Sequence, residues 1–188
     1  KDEMLELKKQ YGDERRTRVV DNELGKMNDE DLIADEQVVV TLTAANYIKR
    51  SQIAEYKKQG RGGKGRRGMA TREEDVIEHV VNASTHDFLL FFTNKGRVFR
   101  LKTYEVPAVG LNAKGVALVN LLQLQPDETV SSVINVSKQH NAANLIMCTL
   151  RGVIKKTPFE QYQNVRNSCL SGINLGAVDE LKWILMTS

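Results

Sequence analysis

The stretches VVVTLTAANYIKR (38–50), FLLFFTNKGRVFR (88–100) and NLIMCTLRGVIKK (144–156) are three copies of one pattern. Each is anchored on a threonine: Thr43, Thr93 or Thr149. Three residues on stands Asn46, Gly96 or Gly152, residue types that tolerate the positive φ of a tight turn. Five residues on is a β-branched side chain (Ile48, Val98 or Ile154), and seven on is a cation (Arg50, Arg100 or Lys156). An apolar run, a turn residue and a second apolar run predict a β-hairpin in each copy.

Further strands follow at Val76 to Val81, Val116 to Leu124, Val130 to Val136 and Leu181 to Met186. Lys64-Gly65 and Lys114-Gly115 lie at the same offset from their threonines, and Ser171-Gly172 falls one residue later. The threonines are spaced 50 and then 56 residues apart. Repeats of that length with roughly four strands each are the signature of propeller blades, so the expected class is all-β. The expected divisions are a first segment, 1–37, then blades at 38–87, 88–143 and 144–188. Within the first segment, 1–10 read as the stump of a helix stopped near Gly12, 16–20 as a short strand, and 21–36 as an acidic linker. Three blades do not close a ring, and the chain starts at Lys1 without an initiator Met, so it reads as part of a larger domain.

The longest apolar run, Phe88 to Phe92, is far too short for a bilayer-spanning helix. Cys148 and Cys169 are without a CxxC partner, which excludes a disulfide framework and a zinc ribbon and fits a cytoplasmic protein. The net charge of +3 conceals a strong asymmetry. Residues 1–37 hold 7 Lys/Arg against 12 Asp/Glu, whereas 49–68 hold 8 Lys/Arg against Glu55 alone. A segment of charge +7 points to an anionic partner.

Within it, residues 57–68 read KKQGRGGKGRRG, five glycines in twelve positions. Such a backbone can follow an anionic surface closely while Arg61, Lys64, Arg66 and Arg67 supply donors to phosphate oxygens. Gly60 to Gly65 formally matches GxGxxG, but no βαβ unit follows, so a dinucleotide site is rejected. A P-loop fails too, because Arg66-Arg67 stand where Lys-Ser/Thr is needed. On composition alone, a solvated surface linker and a nucleic-acid contact are equally good readings.

Gln59-Gly60-Arg61-Gly62-Gly63-Lys64-Gly65 resembles the gyrase A box, usually Gln-Arg-Arg-Gly-Gly-Lys-Gly. It sits after the first hairpin of the first blade, where that family has it. TREEDVIEHVVNASTHDFLLFFTNKGRVFRLKTYEVP (71–107) and AKGVALVNLLQLQPDETVSSVI (113–134) also resemble the C-terminal domain of DNA gyrase A subunits. The stump KDEMLELKKQYGDERRTRVV resembles the end of the cleavage domain. One departure is Gly60, which replaces a cation of the box; Arg66 and Arg67 lie just beyond.

The resemblance implies a six-bladed β-pinwheel, of which about three blades are present, with one strand of each blade crossing to its neighbour. It implies wrapping of duplex DNA without sequence specificity, in support of ATP-dependent negative supercoiling by a type IIA topoisomerase. The implied partners are duplex DNA and an ATPase B subunit, in a heterotetramer of two A and two B subunits. ATP and Mg2+ would act on that holoenzyme, with no cofactor held in this chain. The implied contacts are the box and a rim of cations: Lys49, Arg50, Lys57, Lys58, Arg66, Arg67, Arg100, Lys102, Lys155 and Lys156. The A-type subunit of topoisomerase IV, and a basic propeller that binds protein partners, are the alternatives. A third, an RNA binder built on Arg61-Gly62-Gly63, is weakened by an aromatic content of 6%. His79 and His86 lack a third ligand for zinc, and the Asp29/Asp31 pair reads as solvated linker or helix cap. No catalytic constellation is legible.

Overall fold

The computed structural model describes residues 2–13, 29–56, 75–137, 143–163 and 169–187. The expected strand at 16–20 and the whole of 57–68 lie outside the described residues. Two compact units divide after Leu32. In the first, Asp2–Tyr11 form a helix (α1) with Asp2 and Glu3 in its first turn and Lys8 and Lys9 in its last, as the helix dipole favours.

The second unit is built of antiparallel strands. The first hairpin is β1 (Gln37–Thr43) and β2 (Tyr47–Gln52), followed by β3 (Ile77–Ser84). The second is β4 (Phe88–Thr93) and β5 (Arg97–Lys102), followed by β6 (Val116–Ala117) and β7 (Val130–Val136). The third is β8 (Asn144–Thr149) and β9 (Ile154–Pro158), followed by β10 (Leu170–Ser171) and β11 (Leu181–Thr187). Asn46, Gly96 and Gly152 have φ of 59°, 72° and 83°, so all three hairpins turn where the repeat predicts.

The repeated threonine has a physical reason. Its hydroxyl accepts the N–H four residues on in each copy: Tyr47 to Thr43, Arg97 to Thr93 and Val153 to Thr149, at 3.1–3.2 Å. A carboxylate two residues before the next outer strand then ties down the turn. Asp75 accepts the Ala45 N–H, and Asp179 accepts that of Arg151. Glu128, buried, accepts the Thr93 hydroxyl at 2.6 Å.

The sheets run β3-β1-β2-β6, β7-β4-β5-β10 and β11-β8-β9. Strands β6 and β10 thus leave their own repeats and pair on the second hairpin strand of the preceding one, Val116 opposite Ile48 and Leu170 opposite Val98. This register corrects the sequence alignment at the crossing. Ser171-Gly172 correspond to Ala117-Leu118, not to Lys114-Gly115: the N–H of Leu118 reaches the Asn46 carbonyl as that of Gly172 reaches Gly96. The predicted strand from Val116 to Leu124 is also shorter than expected. It stops at Ala117 and tightens into a 3-10 turn over Leu118–Asn120, which drives Leu118 into the core. Gly115, at φ +83°, is required at the entry: a Cβ there would stand 2.4 Å from the Ile48 carbonyl oxygen.

Each sheet interface is an apolar core. Val40, Leu42 and Ile48 of the first sheet pack with Leu89, Phe91 and Phe99 of the second, sealed by Leu118. The opposite face of the second sheet, with Leu90, Phe92, Val98 and Ile134, packs on Leu145, Met147 and Leu181 of the third.

Candidate nucleic-acid interface

The hairpin ends carry the cations that the repeat singles out, and their surroundings differ. Lys49 points inward. Its side chain is fully buried beneath the connector between β5 and β6, and its Nζ donates to the carbonyls of Gly110 (3.2 Å), Leu111 (2.6 Å) and Ala113 (3.1 Å). Burial pushes the ammonium's pKa down, partly opposed by Glu55. This ammonium ties the connector to the first sheet and faces no solvent rim.

Arg50, on the other face of β2, is half-buried. Its Nε donates to the Val106 carbonyl at 2.7 Å, and its backbone pairs with the connector at Pro107 and Val109. The guanidinium lines a cleft of about 230 Å3 with Glu36, Gln52 and Thr85. Desolvation lowers its pKa and Glu36 counters that.

In the second sheet Arg100 and Lys102 converge on one ring. The Arg100 guanidinium carbon lies 3.4 Å from the Phe88 centroid and the Lys102 Nζ 3.9 Å. Lys102 also donates to the His86 carbonyl at 3.2 Å. In the third sheet Lys155, at the position of Lys49 but exposed, donates to the Gly172 carbonyl of its own repeat at 2.7 Å, and Lys156 is exposed. Lys114, just before the crossing strand β6, stacks 3.5 Å over Tyr47.

Lys57, Lys58, Gln59, Gly60, Arg61, Gly62, Gly63, Lys64, Gly65, Arg66 and Arg67 lie outside the described residues. The chain reaches Tyr56, beyond the end of β2, and is described again from Asp75, two residues before β3. The basic segment therefore joins the second and outer strands of the first sheet.

Sequence reasoning misses the Phe88 platform and the enclosure of Lys49. The first is within reach of it: the hairpin register fixed by the turn puts Phe88 directly opposite Lys102 and diagonal to Arg100. The second needs the connector's path, which no periodicity encodes. A further cluster has no sequence signal. Arg97 donates to buried Glu128 at 2.7 Å and to the Cys169 sulfur at 3.0 and 3.2 Å, linking the second hairpin to the residue before β10. Among the described residues no group of His, Cys, Asp and Glu could hold a metal, and no helix is long and apolar enough to cross a membrane.

Three hairpins in series, with β6 and β10 each crossing to the preceding sheet and cations recurring at the hairpin ends, are a specific architecture. Residues 37–84, 87–137 and 143–188 match the family described as DNA gyrase C-terminal domain, beta-propeller. The chain belongs to this family. It is 46% identical over 187 residues to the DNA gyrase A subunit of Clostridium acetobutylicum, covering 100% of this chain and 22% of that protein. It is 43% identical over 187 residues to the gyrase A protein of Streptococcus pneumoniae, covering 99% and 23%. The chain thus spans less than a quarter of those relatives' length. Among solved structures, the C-terminal domain of DNA topoisomerase IV superposes with a TM-score of 0.70 at 28% identity, covering 82% of this chain and 47% of that one. The DNA gyrase A C-terminal domain gives 0.61 at 26%, covering 81% and 48%. The all-β, blade-built class expected from the repeat is the family's own.

Proposed function

We propose that the chain binds and wraps duplex DNA, without reading its sequence, as the wrapping element of a type IIA topoisomerase of the gyrase kind. The observation that carries this reading is the basic, glycine-rich segment 57–68, with its QGRGGKG heptad, joining two strands of the first sheet in a member of the gyrase C-terminal family. Arg61, Lys64, Arg66 and Arg67 contact phosphates there. Arg100, Lys102 and Lys156 extend the track over the next two sheets, together with Arg50 and the flanking Lys57 and Lys58. Lys49 and Lys155 serve differently: Lys49 holds the connector of the next repeat, and Lys155 holds the carbonyl of Gly172 within its own repeat, beside the crossing strand β10.

The physics is one of offset. Bending 20–30 base pairs smoothly costs on the order of 1–6 kcal/mol, which a series of phosphate contacts must exceed. Cations on backbone-following elements supply contacts that position the duplex but do not specify a sequence. In the whole enzyme, the wrap presents a second DNA segment to the cleavage core with one handedness, so that ATP bound on a B subunit drives negative supercoiling. The enzyme would be a cytoplasmic heterotetramer of two A and two B subunits.

The topoisomerase IV A-type subunit is the second reading, favoured by the TM-score of 0.70. The heptad and the gyrase relatives weigh for the first. Binding to duplexes of increasing length and fixed composition tests the proposal. The expected result is tighter binding to long duplexes, indifference to sequence, and a linear fall of log affinity with log salt at about −0.9 per phosphate. A salt-independent affinity, or equal binding to a protein partner and to duplex, would refute it.

A further inference from the structure

The Phe88 platform occurs in one repeat only. The three repeats place Val38, Phe88 and Asn144 at the same position, opposite Gln52, Lys102 and Pro158 respectively. Only the second sheet combines an aromatic ring with a cation opposite and a second cation on the diagonal. The two ring distances put the Arg100 guanidinium carbon and the Lys102 ammonium no more than about 7.3 Å apart, the sum of 3.4 and 3.9 Å. The ring quadrupole attracts a cation to its face and so holds two long side chains that would otherwise sample many rotamers. The guanidinium carries five N–H donors and the ammonium three. Both cations are thus held against one ring, with the Lys102 ammonium also donating to the His86 carbonyl.

We infer that Phe88 is a positioning residue that pre-orients Arg100 and Lys102 as a two-pronged seat for a single backbone phosphate of duplex DNA, making the second blade the strongest rim contact among the described residues. This rests on the wrapping reading above, and it adds that the seat's strength comes from an uncharged residue. The first sheet has Val38 and the third Asn144 where Phe88 stands, so neither repeat offers an equivalent ring. Preorganisation lowers the ordering cost of binding and adds no charge.

The test compares Phe88→Leu, Phe88→Tyr and the Arg100→Ala/Lys102→Ala pair, each read by duplex affinity across a salt series. Phe88→Leu should weaken binding about 3- to 10-fold with the salt slope unchanged, whereas the Arg100→Ala/Lys102→Ala pair should flatten that slope by about 0.9, one phosphate's worth. Phe88→Tyr, which keeps the ring, should restore the affinity. On the Arg100→Ala/Lys102→Ala background, Phe88→Leu should change nothing further. A purely structural role predicts loss on both backgrounds, and that result overturns the inference. If the paired alanines weaken binding while Phe88→Leu does not, the inference falls and the wrapping reading stands. If the paired alanines leave affinity and slope unchanged, the rim at this blade is not a DNA contact and both fall together. Should Phe88→Leu fail to fold, NMR of the unaltered chain decides. The ring-shifted Arg100 δ and Lys102 ε protons should move together as duplex is added, and static resonances refute the seat.

Discussion

Replacing Lys49 by Met tests whether this ammonium is a fastener between repeats. Methionine preserves the aliphatic stem and deletes the three hydrogen bonds to Gly110, Leu111 and Ala113. Gly110 is exposed and Ala113 half-buried, so water can replace the ammonium at those carbonyls, whereas Leu111 is buried. The dominant loss is one short charged hydrogen bond to an enclosed carbonyl, about 1.5–3 kcal/mol. Release of the buried ammonium from its desolvation cost returns part of that. The expected net loss is about 2 kcal/mol, or a fall in Tm of roughly 4–8 °C for a chain of this size. Urea unfolding followed by far-ultraviolet circular dichroism should show the midpoint lowered with the slope unchanged. The folded variant should bind duplex with an unaltered salt slope. A loss below about 0.5 kcal/mol, the range of an ordinary surface change, or a reduced slope, would refute the fastening role. The pH dependence gives an independent sign. The folded-state pKa of Lys49 is lowered, so the unfolded chain holds its proton more tightly. The stability difference between wild type and Lys49→Met should therefore grow as the pH rises from the lowered value towards 10.5.

Gly115→Ala should destabilise by about 1–3 kcal/mol, because the backbone is left-handed there and the new Cβ meets the Ile48 carbonyl; thermal unfolding measures it. Asp179 has a carboxyl held below its usual 3.8 by hydrogen bonds from Thr149 and the Arg151 and Glu180 N–H groups. Its contribution is present above pH 3.8 and is lost as the pH falls through the lower folded value, so Asp179→Asn should flatten the acid limb of the stability profile. Trp183 is 57% exposed on β11, and Trp183→Lys should shift stability by no more than about 0.5 kcal/mol in urea.

The hairpins are legible in the sequence because their signals are local. A positive-φ turn residue three places after a threonine fixes the register, and which residues stand opposite each other follows from it. The crossing strands are not, since two paired residues have no periodicity, and Ser171-Gly172 aligns with the wrong pair for that reason. Lys49 and Arg50 look alike as neighbouring strand-end cations. Opposite faces of β2 separate them: one lies under a returning connector and the other opens on a cleft. The charge of residues 49–68 carries the expectation of an anionic partner, and the proposal that this partner is duplex DNA comes from the heptad rather than from the charge.

The linking number of a nicked circle, resealed by ligase in the presence of the chain, tests the wrapping claim most directly. Wrapping predicts a displacement in one direction that grows with bound protein and disappears when Arg61, Lys64, Arg66 and Arg67 are all replaced by alanine. An unchanged linking number at saturation, or a displacement that survives the four substitutions, would contradict it.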